Sequence, residues 1–240
     1  MNELKKTSSF TFKVKGIKKT YRHNKKNILK DISLEANGGE CIGILGTNGC
    51  GKSTLLSILA GIRKADGGSF TARYKEPSKG KPMIPMIGFV PQENPLMEEL
   101  TALDNLRLWY SNSPLDLQKE LDHGTLRLLG ISDFLHTRVS QMSGGMKKRL
   151  NIGCAIASNP QILLLDEPGA ALDLPCKEQI NQYLQTYKEQ GNLILIATHE
   201  EPEIALCDRL FLLKDGVLVP YQYDGNLSNL IGALTERSKP

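Results

Sequence analysis

Nine residues, Gly46 to Thr54 (GTNGCGKST), hold glycines, a lysine and hydroxyls in the order that a phosphate group needs. Gly46, Gly49 and Gly51 allow backbone angles that turn successive N–H groups inward, and Thr47, Asn48 and Cys50 lie in the same loop. A helix N-terminus follows, and its free N–H groups favour an anion. Lys52 adds a point charge for β and γ phosphates. Ser53, ahead of Thr54, offers a hydroxyl to Mg²⁺, which prefers hard oxygen ligands. Cys50 stands beside Lys52 and that helix start, both of which favour a thiolate, so a reactive thiol is expected.

A second constellation lies downstream. The apolar run QILLLDEP (Gln161 to Pro168) delivers Asp166 and Glu167 at its carboxyl end. In open α/β sheets ligands gather at that edge. Adjacent strand residues point to opposite sides, so the two acids can divide the work. Asp166 is expected in the Mg²⁺ shell. Glu167 is expected to polarise an attacking water as general base.

The elements that must position these groups are legible as changes of period. Phe10 to Ile17 and Ile28 to Ala36 alternate as half-buried strands do. Glu40 to Gly46 is a short apolar run, and Leu55, Leu56, Ile58, Leu59 and Ile62 then recur at helical spacing. The phosphate cradle therefore sits between a strand and a helix. Thr101 to Tyr110, with Thr101 as N-cap, and Leu115 to Gly130 read as amphipathic helices. A further helix runs from Ser143 to about Ser158, and another from Pro175 to Gln190. Gln161 to Pro168 and Asn192 to Glu200 are buried strands, and Arg209 to Val219 is a hairpin about Asp215-Gly216. Short apolar strands separated by helices predict a parallel α/β sheet. The strand-poor stretch from about Glu93 to Ser158 reads as an inserted helical lobe, and Gly225 to Pro240 carries no clear signal.

Composition narrows the classes. Thirty basic against 26 acidic residues leave a formal charge of +4, too mild to imply a nucleic-acid partner. The densest basic run, Lys13 to Lys30, is interrupted by Ile17, Tyr21 and Ile28 and reads as a solvated strand edge and loop. Five cysteines without C-x-x-C pairing suggest a reducing compartment rather than a disulfide framework. MNELKKTSSF has no apolar stretch of signal-peptide length, and no window approaches the ~18 apolar residues of a membrane helix.

MSGGM (Met142 to Met146), placed shortly before QILLLDEP, resembles the signature of ABC transporter nucleotide-binding domains. The resemblance runs from about Phe10 to Pro220. It implies a P-loop NTPase (RecA-like) α/β core with an antiparallel β subdomain and an inserted α-helical subdomain. It also implies one nucleotide-binding domain over residues 1–240: core and β subdomain in 1–92 and 159–222, helical signature subdomain in 93–158, and a tail in 223–240. Tyr21 matches the aromatic that stacks on adenine, and Gln92, in FVPQEN, the glutamine that senses Mg²⁺ and the attacking water. His199 matches the switch histidine at the γ-phosphate. Ala171 to Asp173 resemble the loop that crosses to the opposite subunit. Ser143, Gly144 and Gly145, at a helix N-terminus, would bind the γ-phosphate held by a second ATP-binding subunit.

ATP and Mg²⁺ are the implied ligands, and a transmembrane permease subunit is the implied partner. The chain would then be cytoplasmic, peripheral on the inner face of the cell membrane. Leu96, Met97 and Trp109 look exposed and suited to passing motion to that permease. Two departures stand out: Met142 and Met146 occupy positions where leucine and glutamine are commonest, and Gly169-Ala170-Ala171 lacks the usual hydroxyls. The tract MSGGMKKRLNIG resembles that of drug, antibiotic and lantibiotic exporters whose ATPase is a separate chain, which points to export. The alternative is a soluble ABC-type ATPase without a transport role.

Overall fold

The computed structural model describes residues 10–21, 26–74 and 85–235. The stretch Arg22 to Lys25 of the basic run lies outside them, as do the first nine and last five residues. Nine strands form one sheet: β1 (Phe10–Tyr21), β2 (Lys26–Asn37), β3 (Cys41–Leu45), β4 (Gly67–Tyr74), β5 (Ile87–Val90), β6 (Ile162–Asp166), β7 (Leu193–Ala197), β8 (Arg209–Lys214) and β9 (Val217–Tyr221). Their order across the sheet is β4-β1-β2-β9-β8-β3-β7-β6-β5.

The short apolar runs become the parallel part. β3 lies between β7 and β8, with β6 beside β7 and β5 beside β6. Leu163 and Leu165 of β6 enter one core, and Ile162 and Leu164 enter the other. Because both faces are covered, the period-two alternation of these strands is hidden behind uniform apolarity. The longer alternating segments pair antiparallel, β1 with both β2 and β4. β1 extends past Ile17 to Tyr21, with a register shift where Gly16 adopts φ 59°. This antiparallel arm joins the parallel block through β2 and β9, at the pair Asp31 and Val217. The β8–β9 hairpin turns on Asp215 and Gly216, at φ 49° and 81°, as a two-residue Asp-Gly turn does.

Among the described residues there are eight α-helices, α1 (Lys52–Leu59), α2 (Ala102–Tyr110), α3 (Leu117–Asp122), α4 (Thr125–Leu128), α5 (Gly144–Ala155), α6 (Leu174–Glu189), α7 (Glu201–Leu206) and α8 (Leu227–Thr235), and two short 3-10 helices, Ile131–Phe134 and Val139–Gln141. Thr101 caps α2, its hydroxyl accepting the Asp104 N–H at 3.2 Å. The single helix expected over Leu115 to Gly130 is instead α3 and α4. Gly124 takes an extended conformation between them, and the Glu120 carboxylate accepts the Thr125 N–H at 2.8 Å. That acceptor gives the second helix its own start, where an interior glycine already weakens continuity. Met97 and Trp109 are exposed, whereas Leu96 packs against the core, contrary to expectation. The stretch that carried no sequence signal contains α8, whose Leu230 packs with Leu45, Ile204, Leu210 and Leu212. Among the described residues no helix is long and apolar enough to cross a membrane.

Candidate functional site

β3 ends at Leu45, and the chain turns through Gly46–Gly51 into α1. Gly49 and Gly51 adopt φ 75° and 117°, angles that side chains resist. Gly51 has a second constraint: a Cβ there would lie 2.6 Å from the Ile28 side chain. Tyr21, Asn48, Gly49, Gly51, Lys52, Ser53, Thr54, Gln92, Glu167 and His199 line one cleft of ≈ 420 Å³. Thr47 and Cys50 face a neighbouring cavity of ≈ 340 Å³ behind the loop.

Lys52 is buried, and its Nζ donates to the Gly46 carbonyl at 2.8 Å. Three groups meet at Glu167. The Lys52 Nζ is 3.6 Å from its Oε1, the Gln92 Nε2 donates to its Oε2 at 3.3 Å, and the His199 Nδ1 lies 3.8 Å from its Oε1. Glu167 does not simply alternate with Asp166 along the strand. It leaves β6 at φ 49°, while its N–H still bonds the Ala197 carbonyl of β7 at 2.9 Å. The left-handed residue aims its carboxylate into the cleft.

Asp166 remains in β6, buried, and its Oδ1 has no hydrogen-bond partner among the described residues. Burial pushes its carboxyl up, and the Ser53 hydroxyl pulls it down. An orphaned carboxylate oxygen beside a serine hydroxyl suits a hard divalent cation. Among the described residues no three of His, Cys, Asp or Glu form a cluster able to hold a metal. This sparse donor set fits Mg²⁺, which keeps waters and takes substrate phosphates as further ligands.

Cys50 departs from expectation. Its Sγ packs so close to Gly46 that a Cβ there would stand 2.5 Å away. Burial pushes the thiol up, outweighing the Lys52 charge and the backbone N–H groups that act the other way.

Ser143, Gly144, Gly145 and Asp173 do not line the cleft. Ser143 caps α5 by accepting the Met146 N–H at 3.2 Å, and Asp173 caps α6 by accepting the Cys176 N–H at 2.9 Å. These two helix starts adjoin each other, since Cys176 Sγ donates to the Gly145 carbonyl at 3.7 Å.

Three nearby residues escaped the sequence reading. The Arg63 guanidinium sits 5.3 Å from the centroid of the Tyr21 ring, whose hydroxyl is 3.2 Å from Thr54 Oγ1. Buried Lys148 donates to the carbonyls of Pro91 and Gln92 at 3.1 and 3.0 Å. Glu203 lies buried beneath the turn that follows Glu167. Each contacts residues far away in sequence, so no local pattern marks it.

Comparison with known proteins identifies the family and the fold. The family model described as "ABC transporter" matches residues 29–170. The chain is 33% identical over 228 residues to the linearmycin resistance ATP-binding protein LnrL of Bacillus subtilis (strain 168), covering 92% of this chain and 71% of that one. It is 31% identical over 210 residues to the spermidine/putrescine import ATP-binding protein PotA of Borreliella afzelii (strain PKo), covering 86% of this chain and 60% of that one. The structure matches a post-hydrolysis dimer of the ATP-binding cassette MJ0796 bound to ADP and Pi, with a TM-score of 0.75 and 28% identity, over 88% of this chain and 98% of that one. The chain belongs to the ABC transporter family, as an ATP-binding cassette that hydrolyses ATP.

Proposed function

We propose that this cassette pairs with a second ATP-binding subunit and powers export through a separate transmembrane permease, from the cytoplasmic face of the cell membrane. The observation that carries this reading is the meeting of Lys52, Gln92 and His199 on the Glu167 carboxylate at the rim of the cradle. Glu167 then takes the proton of the attacking water, and Gln92 and His199 orient that water and the γ-phosphate. Lys52 exchanges Glu167 for the β and γ phosphates. Ser53, Asp166 and Gln92 are the groups suited to hold Mg²⁺, which offsets phosphate charge when bound. Tyr21 would receive adenine on its ring, in competition with Arg63.

Ser143–Gly145 lie outside the cleft, at the start of α5, where free N–H groups favour an anion. In our reading they engage the γ-phosphate of the opposite subunit, with Ala171–Asp173 crossing beside them. Nucleotide then joins the two chains, and loss of the γ-phosphate releases them. Export follows from the MSGGMKKRLNIG tract and from the resistance protein among the relatives, although the polyamine relative is named for import.

Phosphate release by the purified chain, with and without Mg²⁺, tests the motor. Transport by vesicles holding the chain and its co-purifying membrane protein tests direction. An absence of Mg-dependent phosphate release overturns the first part; ATP-driven movement toward the cassette side overturns the second.

A further inference from the structure

Glu203, on α7 four residues after His199, is 3% exposed, and its Oε2 has no hydrogen-bond partner among the described residues. Burying a carboxylate without full pairing is costly, so its retention calls for a physical reason. Its carboxylate faces the turn that carries Glu167. A Cβ built on Gly169 would meet Glu203 Oε1, so a larger residue there would make this carboxylate withdraw from the turn. In the same turn Glu167 and Ala171 adopt φ 49° and 58°. Two non-glycine residues in left-handed backbone within so short a span need outside support.

We propose that ionised Glu203 is the positioning residue for Glu167: it accepts the Gly169 N–H and so holds the turn that aims the Glu167 carboxylate into the cleft. The inference rests on the role assigned to Glu167 above. Burial pushes the Glu203 carboxyl up to about 7. Against burial act the Thr198 hydroxyl, the Gly169 amide and the Lys177 ammonium, while Glu200 reinforces it. Lys148 of α5 and Cys207, just past the end of α7, also face this carboxylate. Thr198 and Gly169 both present donors, which an ionised acceptor satisfies. Protonation would instead place an O–H where Oε2 finds no acceptor. The turn is therefore held best above a pH of about 7. Stability runs the other way: a carboxyl raised in the folded state disfavours its own charge, so stability falls as pH climbs from the ordinary glutamate range through about 7.

The test compares the full chain with Glu203→Gln and Glu203→Ala. In each, kcat and KM for ATP are measured against pH, together with Tm. Wild-type kcat should rise through a pH of about 7. In Glu203→Gln this rise should flatten, leaving kcat at alkaline pH about three- to tenfold below wild type, with KM unchanged. Its Tm at alkaline pH should equal or exceed that of wild type, because a buried charge is gone. His199 and Glu167 are present in both proteins, so the difference between profiles isolates Glu203. Glu203→Ala, which lacks any acceptor, should have the lowest kcat. A wild-type profile in Glu203→Gln overturns the proposal, and so does a loss of kcat that merely follows falling Tm and rising KM. Glu167→Gln run in parallel separates the two claims: full turnover in that variant removes the base assignment itself, whatever Glu203 does.

Discussion

The Lys52 ammonium lies 3.6 Å from Oε1 of Glu167, so the charge proposed to meet phosphate is held by the carboxylate proposed to activate water. On the proposed roles ATP takes Lys52 away from Glu167, and that exchange opposes binding.

Replacing Glu167 by glutamine removes the carboxylate that competes for Lys52 and the proposed base together. Glu167→Gln should bind ATP at least as tightly as wild type, and its phosphate release should fall by about a hundredfold or more. Calorimetry and a phosphate assay read the two halves. Steady hydrolysis near the wild-type rate would remove Glu167 from the role of base.

Lys52→Ala removes the charge proposed to face the phosphates. ATP affinity should weaken by about tenfold to a hundredfold, the scale of a lost charge-assisted hydrogen bond. The Gly46 carbonyl also loses its 2.8 Å partner, so a small fall in Tm should accompany the loss. Unchanged affinity by calorimetry would refute the assignment.

Cys50 provides a chemical probe of the loop. Its thiol is pushed up by burial, so the thiolate is scarce near neutral pH. Maleimide should label it slowly there and faster as pH rises, and Cys50→Ala should abolish that labelling. Peptide mass mapping gives the site. Rapid modification at neutral pH would show that the Lys52 charge outweighs burial.

The split site can be tested by mixing two inactive variants. Gly145→Asp places a carboxylate where the opposite chain's γ-phosphate is proposed to sit, and Lys52→Ala empties the cradle. In a mixed dimer both defects can fall in one site. Random pairing then restores about a quarter of all sites, by two-fold symmetry. ATPase activity and ATP-dependent dimerisation of the mixture should exceed those of either variant alone. A Cβ at Gly145 would lie 3.0 Å from Cys176 Sγ, so Gly145→Ala is the control for crowding. No recovery of either activity or dimerisation would place the signature outside the opposite site.

The strand, glycine turn and helix at Gly46–Gly51 were legible because their signals are local: the glycines and the helical spacing lie within one short stretch. The Asp-Gly hairpin and the Thr101 cap were legible for the same reason. The strand reading of Asp166 and Glu167 missed the left-handed backbone of Glu167, since it depends on the bond to Ala197 and on the turn up to Ala171. Lys148 was hidden because its acceptors lie 57 and 56 residues away. β5 is only four residues long, and β4 begins with two glycines and leaves much of its length exposed, so neither shows the usual strand pattern. The helix start at Thr125 depends on a carboxylate five residues back, which periodicity does not register.

The junction between β2 and β9 has one further consequence. Tyr21 stands on the antiparallel arm and Lys52 on the parallel block, and the ladder between arm and block is the single pair Asp31 and Val217, beside a 2.8 Å bond from the Lys30 N–H to the Gly216 carbonyl. Most of what binds arm to block is the shared apolar core, which resists separation but sets direction weakly. The sheet is thus continuous in outline, with its backbone ladder thinnest at this seam. Where that ladder is thinnest, side chains take over: the Tyr21 hydroxyl 3.2 Å from Thr54 Oγ1 and the Arg63 guanidinium over the Tyr21 ring tether the arm to the block, so the proposed base-binding end is held by side chains rather than by backbone.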